Sequence, residues 1–170
     1  MKGGVGIAAD EGNGGLLVGA LVVVNAFGDV RDPSTGKILA GARVASDSMA
    51  FADTLKLMRR GVPRPASAFQ STTIGVIVTN AKLDKQGASL VAKMASLGML
   101  KTVSPGHTLY DGDIVFSLSS GQITVDYQTV GLMAEEVLAR AIIGGITKAE
   151  GVKGIPSFLQ VTTKPPRHKE

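Results

Sequence analysis

The sequence lacks cysteine and tryptophan, and its 170 residues include only two histidines. The absence of cysteine excludes disulfide bonds and thiolate metal sites, and it fits a reducing compartment, so a cytoplasmic location is expected. A Ser/His/Asp catalytic triad would need one of the two histidines. Because His168 lies in the C-terminal tail and His107 is interpreted as structural, the sequence does not favour a hydrolase of that type.

The chain also lacks a long apolar run and an abundance of aromatic residues, and no signal sequence is expected. Residues 16–24 are apolar but far fewer than the ~20 that cross a bilayer, and Asp10 and Glu11 stand where a leader would be basic. With 4% aromatic and 44% hydrophobic residues, the core should be aliphatic. The net charge is +4, but the basic residues are scattered and not interleaved with aromatics. We therefore expect no membrane and no nucleic acid as partner, and a basic tail at residues 158–170.

The pattern of apolar residues predicts alternating strands and helices in one domain. Strands are predicted at residues 16–25, 74–78 and 114–118. Helices are predicted at residues 47–60, 84–97 and 130–143. Gly98 is predicted to end the second helix, and residues 119–121 are predicted to form a turn. Strands that are followed by helices indicate the α/β class.

Residues 71–80 read Ser-Thr-Thr-Ile-Gly-Val-Ile-Val-Thr-Asn and place Thr72 and Thr73 where a buried strand begins. The preceding segment contains Pro63 and Pro65 and is predicted to be irregular. A self-cleaving enzyme would cut itself at such a junction, because a freed N-terminal threonine carries both a nucleophilic hydroxyl and a basic α-amine. On these residues alone, the alternative that both threonines are ordinary strand residues is favoured, because threonine is common in strands.

Two aspartates, Asp111 and Asp113, flank Gly112 at the start of the strand predicted at residues 114–118. Alternate residues of a strand point to one side, so both carboxylates are expected to face Thr72. Two neighbouring carboxylates raise one pKa, so the pair is suited to orient a nucleophile and to carry a proton. Two alternatives remain: the Asp-Gly-Asp sequence is a simple turn, or it binds a hard cation. The cation is disfavoured because no further acidic ligands follow at loop spacing.

Several segments, taken in order, resemble motifs of one known family. They are Lys-Gly-Gly-Val-Gly at residues 2–6, Val-Val-Val-Asn-Ala-Phe-Gly-Asp-Val at 22–30, the threonine segment at 71–80, and His-Thr-Leu-Tyr-Asp-Gly-Asp-Ile-Val-Phe at 107–116. They are similar to motifs of the self-processing L-aminopeptidase/D-amidase-esterase family, which includes the nylon-oligomer hydrolases. The resemblance extends to about Ser157, and the fixed order of the motifs makes it specific.

The resemblance implies a layered helix–sheet–sheet–helix sandwich of the N-terminal-nucleophile type. It identifies Thr72 as the nucleophile, Ser71–Thr72 as the bond that is cut, and Asn25 as a donor near the oxyanion. Asn25 alone also fits the alternative of a strand-end cap. Asp111 and Asp113 match the acidic partners of the family. The implied enzyme hydrolyses amide bonds through an acyl-enzyme, with no cofactor and no metal.

This chain has no counterpart of the long upstream segment in which the family carries its catalytic lysine. The chain therefore resembles the C-terminal half of such proteins, and the sandwich is expected to be incomplete. Residues 1–157 are expected to form one catalytic-type domain, which the cut divides into residues 1–71 and 72–157. A homo-oligomer, or a partner chain that supplies the upstream half, is expected to complete it.

The substrates implied by the resemblance are short peptides, amino-acid amides and oligo-amides. Thr72, together with the Asp111 and Asp113 pair, is most similar to the nylon-oligomer branch. Ser71 departs from the family pattern, since many relatives carry Asn or Gly before the cut. The alternative function is that of an unprocessed, non-catalytic relative that oligomerises through exposed sheet edges.

Overall fold

The structure, a computed structural model, describes residues 1–62 and 71–163. Its strands are β1 (Val5–Glu11), β2 (Leu17–Val23), β3 (Asp29–Arg31), β4 (Ile38–Ala40), β5 (Ile74–Ala81), β6 (Val103–Ser104) and β7 (Ile114–Ile123). Its helices are α1 (Thr54–Arg59), α2 (Lys85–Thr102), α3 (Tyr127–Thr147) and α4 (Phe158–Thr163), with a 3-10 turn at Asn13–Gly15. The predicted proline-containing loop at 63–70 and the end of the predicted tail, 164–170, lie outside the described residues. In the described ranges, no helix combines the length and apolar character that crossing a membrane requires.

Strand β5, which begins two residues after Thr72, lies inside the larger sheet. The strand order of this sheet is β1–β2–β5–β7, whereas a smaller sheet has the order β4–β3–β6. β2 pairs antiparallel with β1 and β5, and β7 pairs parallel with β5. A parallel pair needs a crossover connection, and helix α2 lies in the connection between β5 and β7. Because β5 has a neighbour on each side, the residues at its start lie between two other segments of the chain.

Helices α2 and α3 pack against each other and against one face of the larger sheet. The helical side of the core is aliphatic and includes Val91, Ala95, Met99, Val130, Val137, Leu138 and Ile142. A Cβ atom at Gly98 would lie 2.1 Å from the backbone oxygen of Glu135, so the two helices approach closely because this residue has no side chain. The prediction that Gly98 ends α2 is therefore wrong: the glycine serves the helix contact, and α2 continues to Thr102.

The first predicted helix, at residues 47–60, is confined to Thr54–Arg59. The residues before it form a turn, in which the Ala52 N–H donates to the Ala42 carbonyl at 2.8 Å. Asp53 is the N-cap of this helix, because its side chain accepts a hydrogen bond from the N–H of Lys56. The apolar spacing that predicted a longer helix thus falls partly on a hydrogen-bonded loop.

The turn predicted at residues 119–121 is wrong, and strand β1 was not predicted at all. β7 continues through these residues to Ile123, because Ser119 pairs with Thr79 of β5 and, after a register shift, Ile123 pairs with Ala81. The Ser119 hydroxyl donates to the carbonyl of Ala81 at 2.5 Å, which ties the two strands together where their register shifts. Serine and glycine in this strand therefore do not end it.

The face of the larger sheet opposite the helices is apolar and exposed, and we call it the open face. Its large exposed side chains are Val5, Ile7, Leu17, Leu21, Val23, Ile74, Val78, Ile114, Phe116 and Leu118. Strand pairing places Ile7, Leu21, Val76 and Phe116 in one row across the sheet. Leu21 is 42% exposed and Phe116 is 50% exposed, although monomeric proteins rarely leave so large an apolar patch uncovered. The α/β class is confirmed, with one helical layer lying on one side of the sheet.

Candidate active site

The strand pairing at the start of β5 holds the Ser71–Thr72 peptide bond on both sides. The Thr72 N–H donates to the backbone oxygen of Asn25 at 2.8 Å, which continues the pairing of β2 with β5. Ser71 forms a parallel bridge with Asp111. The N–H of Gly112 donates to the Ser71 carbonyl at 3.0 Å. One neighbouring segment therefore holds the N–H of this peptide bond, and the other neighbour holds its carbonyl.

The hydroxyl of Thr72 lies against the carbonyl that precedes it. Thr72 Oγ1 donates to the Ser71 oxygen at 2.7 Å. Thr72 stands two residues before Ile74, whose side chain belongs to the open face, so strand alternation places the Thr72 side chain on the same side. The candidate nucleophile is thus near the bond predicted to be cut, at the edge of the uncovered sheet.

Asn25 contacts the same site through its main chain, since its carbonyl accepts the Thr72 N–H. It also lines an open pocket of about 180 Å³ together with Ala26 and Phe27. Because β2 ends two residues earlier, at Val23, Asn25 occupies the end of a strand beside the nucleophile. This location is compatible both with the predicted role near the oxyanion and with the alternative of a strand-end residue.

The carboxylate of Asp111 joins the segment after β2 to the loop before β7. Its Oδ1 accepts from the N–H of Phe27 at 3.1 Å. Its Oδ2 accepts from Thr108 twice, from the N–H at 3.1 Å and from the hydroxyl at 2.8 Å. The Phe27 ring also stacks on Tyr110, with ring centroids 5.0 Å apart. Both carboxylate oxygens are thus used to hold backbone, which makes Asp111 a positioning residue in this geometry.

Asp113 is buried and bonds to the residue after the nucleophile. Its side chain is 1% exposed, and its Oδ1 accepts from the Thr73 N–H at 2.7 Å. Burial raises the pKa of Asp113, and the negative charge of Asp111 raises it further, while the Thr73 N–H and the nearby His107 act in the opposite direction. A pair with one raised pKa was expected from the sequence, but burial is the larger cause.

The two carboxylates bond to different parts of the chain around the nucleophile. Asp111 forms its bridge with Ser71 in the register that pairs β7 with β5, so the pairing of the two segments extends from Asp111 into the strand. One carboxylate bonds to Phe27 and Thr108, and the other bonds to Thr73. They therefore anchor the chain on the two sides of Gly112.

The titration of Asp113 leads to a prediction about stability. Because its pKa is raised in the folded chain, wild-type stability should fall as the pH rises through this folded-state pKa, by about 1.4 kcal/mol for each unit of the shift. Asparagine does not titrate, so the stability of Asp113→Asn relative to the wild type should increase as the pH rises from about 4 through the raised pKa of Asp113. Thermal unfolding of both chains across this range measures the difference. A difference in melting temperature that does not vary with pH would contradict the prediction.

The sequence alone does not identify the N–H of Gly112 as part of the site. The available signal was a glycine between two carboxylates at the start of a strand.

The part of the chain that the structure describes holds no group of three or more His, Asp or Glu side chains arranged to bind a metal. His107 lies beside the site, with its Nδ1 atom 3.9 Å from the Asp113 Oδ2 atom.

Comparison with known sequences identifies the family. The model of Peptidase family S58 matches residues 1–157. An uncharacterised aminopeptidase of Mycobacterium leprae is 37% identical over 176 residues, which cover 93% of this chain and 48% of the relative. Another, from Mycobacterium tuberculosis, is 34% identical over 178 residues, which cover 93% and 52%. The 6-aminohexanoate-oligomer endohydrolase of an Agromyces species is 27% identical over 146 residues, which cover 76% and 41%. The chain thus spans about half the length of these curated relatives.

Solved structures share the fold at low sequence identity. A protein of Pyrococcus horikoshii has a TM-score of 0.65 at 20% identity, over 95% of this chain and 46% of the other. A Burkholderia beta-aminopeptidase has a TM-score of 0.59 at 23% identity, over 95% and 47%. The L-aminopeptidase D-Ala-esterase/amidase of Ochrobactrum anthropi, described as a variant of the Ntn hydrolase fold, has a TM-score of 0.57 at 19% identity, over 87% and 41%. The fold is therefore of the N-terminal-nucleophile hydrolase type, and this chain belongs to peptidase family S58, as its motifs predicted.

Proposed function

We propose that this chain is an amide-bond hydrolase whose nucleophile is Thr72, made available by cleavage of the Ser71–Thr72 bond within the chain itself. One observation carries the proposal: this peptide bond is held by hydrogen bonds on both sides, with the Thr72 hydroxyl 2.7 Å from the Ser71 oxygen. The contacts fix the reacting groups relative to each other, and such fixed orientation lowers the barrier of an intramolecular reaction.

The cleavage is a hydrolysis in two steps, which adds one water molecule and loses no atoms. Thr72 Oγ1 attacks the Ser71 carbonyl carbon, the C–N bond breaks, and the hydroxyl proton passes to the nitrogen, which leaves an ester and a free α-amine. Water then hydrolyses the ester. The products are a carboxylate at Ser71 and an N-terminal Thr72 with a free hydroxyl.

In the cleaved chain the same hydroxyl attacks an amide substrate. The Thr72 α-amine takes the hydroxyl proton and returns it to the leaving amine, and water later releases the acyl group. The Asn25 carbonyl, which accepts the Thr72 N–H at 2.8 Å in the uncut chain, retains the new amine nearby. The amide group of Asn25 supplies a donor for the oxyanion, a role worth about 3–4 kcal/mol where it has been measured.

The relatives suggest two classes of substrate. The mycobacterial relatives named aminopeptidases are 34–37% identical over 93% of this chain, whereas the 6-aminohexanoate-oligomer endohydrolase is 27% identical over 76%. The higher identity favours the N-terminal residues of short peptides, or amino-acid amides, as substrates. Oligo-amides are the second candidate, because Thr72 and the Asp111 and Asp113 pair resemble that branch.

The proposal is tested by measuring substrate turnover and the site of acylation on the same samples. The purified chain is incubated separately with amino-acid amides, dipeptides and 6-aminohexanoate oligomers. Release of amine is measured, and quenched samples are weighed by mass spectrometry. We expect release from at least one class, with an acyl adduct on the fragment 72–170. A split chain that releases no amine from any class, or an adduct on residues 1–71, would contradict the proposal. An intact chain that only self-associates would support the non-catalytic alternative.

The open face is proposed to be covered by a further layer. Its apolar side chains extend across the larger sheet, and the curated relatives have about twice the length of this chain. When the chain is alone, a second copy of it covers the open face. When a chain that supplies the additional length of the relatives is present, that chain covers the open face instead. Either cover would also enclose Thr72, which lies on this side of the sheet.

This cover leads to a prediction about association. The wild-type chain should form dimers or larger oligomers at micromolar concentration, and Leu21→Lys should shift it to monomers, because a charge at the centre of the open face opposes burial. Leu132→Lys is the matched control: Leu132 is similarly exposed, at 52%, but it lies on helix α3. Light scattering measures the result. A wild-type monomer with cooperative unfolding would contradict the prediction.

A further inference from the structure

We propose that the backbone N–H of Gly112 stabilises the oxyanion when the chain cuts itself, and that this position must lack a side chain so that the Thr72 hydroxyl can reach the carbonyl. The inference rests on the proposed self-cleavage at Ser71–Thr72 and adds a catalytic group to it. It concerns the cleavage of the chain, separately from the later hydrolysis of substrate.

The first part follows from the hydrogen bonds of the carbonyl that is attacked. The Ser71 oxygen accepts from the Gly112 N–H at 3.0 Å and from the Thr72 hydroxyl at 2.7 Å. When Thr72 Oγ1 attacks, it gives up its proton, and the negative charge develops on the Ser71 oxygen. The Gly112 N–H already points at this atom, so it stabilises the charge without any rearrangement.

The second part follows from the space around the hydroxyl. A Cβ atom at position 112 would lie 2.9 Å from Thr72 Oγ1 and 3.8 Å from its γ-methyl carbon. Such a contact is too short, so the hydroxyl would have to turn away from the Ser71 carbonyl. Gly112 is not among the residues with positive φ, so its backbone conformation is open to alanine. Glycine is needed here for space and not for its conformation.

The flanking aspartates explain how Gly112 is held in place. Asp111 bonds to the N–H of Phe27 at 3.1 Å, and Asp113 bonds to the N–H of Thr73 at 2.7 Å. The segment is thus fixed on one side to the chain that follows β2 and on the other to the chain that carries the nucleophile. The Asp-Gly-Asp sequence works as one unit, in which two carboxylates position a backbone donor between them.

The requirement for space is tested with Gly112→Ala. Moving the hydroxyl should slow self-cleavage about 100-fold, the loss typical of a misplacement of about 1 Å. Gly144→Ala is the matched control, because a Cβ atom there would have nothing within 4 Å. Splitting is followed by intact mass after cell-free synthesis, and thermal unfolding shows whether each variant folds. Gly144→Ala should split at the wild-type rate.

The donor is tested by replacing the amide of Gly112 with an ester, which removes the N–H and adds no bulk. Loss of one oxyanion donor should slow splitting about 100- to 1,000-fold. The control is the same replacement at Ile114, whose N–H donates to the Thr73 carbonyl at 3.1 Å. This control removes a sheet hydrogen bond of the same kind, but one that does not touch the reacting carbonyl, and it should split at the wild-type rate.

The outcomes separate this inference from the proposed function. A wild-type chain that splits, with both Gly112 changes slow and both controls normal, supports the inference. If the wild type splits and both Gly112 variants split equally fast, the inference is overturned and the proposed function stands. If only the ester is fast, the donor role is overturned. A wild-type chain that never splits overturns the proposed self-cleavage and this inference together.

Discussion

Replacing Thr72 with alanine is expected to leave the chain as one polypeptide and to abolish its amidase activity at the same time. The hydroxyl that lies 2.7 Å from the Ser71 oxygen is the attacking group in both reactions. Removing a nucleophile of this kind costs about 10⁶-fold in rate, which places both reactions below detection. Intact mass spectrometry and an amine-release assay on the same preparation measure the two effects.

Two matched variants show whether the loss is specific to this hydroxyl. Ser71→Ala removes a hydroxyl one residue earlier but leaves the bond and the nucleophile, so it should still split between the same residues. Thr72→Ser keeps the hydroxyl and should retain both activities. A Thr72→Ala chain that still divides between residues 71 and 72 would rule out Thr72 as the nucleophile.

Asp111→Asn is expected to slow both reactions about 100-fold while the chain remains folded, because the groups around the bond would shift by about 1 Å. Each oxygen of the Asp111 carboxylate accepts hydrogen bonds, one from Phe27 and the other from Thr108. The amide nitrogen of asparagine cannot accept either set. Asp113→Asn should have a smaller effect, because an amide oxygen can still accept the Thr73 N–H.

Asp111→Asn should also change the dependence of the rate on pH. The negative charge of Asp111 contributes to the raised pKa of Asp113, so its removal should lower that pKa. If the ionised form of Asp113 takes part in the reaction, the acidic limb of the pH–rate profile should move to lower pH. An unchanged rate together with an unchanged profile would show that the Asp-Gly-Asp segment is only a turn.

The sequence alone points to the location of the candidate site because its signals are local. Thr72 stands at the junction of an irregular segment and an apolar strand, and Asp111 and Asp113 stand at the start of another. What could not be predicted is the register between the strands, which depends on contacts between distant parts of the chain. That register brings the Gly112 N–H to the Ser71 carbonyl, and no local pattern contains it.

The errors in the fold have the same origin. Gly98 follows a helical run and thus has the local pattern of a helix end, but its role is decided by the Glu135 backbone on another helix. Residues 119–121 have the composition of a turn, yet they lie within strand β7, because Ser119 and Ile123 pair with β5 on either side of a register shift. In each case, packing against a distant element outweighs the local preference.

The most direct test of the central claim is the intact mass of the purified wild-type chain, followed by N-terminal sequencing of its products. The account predicts two polypeptides, residues 1–71 and residues 72–170, with the second beginning Thr-Thr-Ile-Gly-Val. Their appearance together, with no fragment from any other position, would support Thr72 as a nucleophile freed by the chain itself. A single, stable polypeptide of 17.5 kDa that remains uncut after prolonged incubation would contradict it.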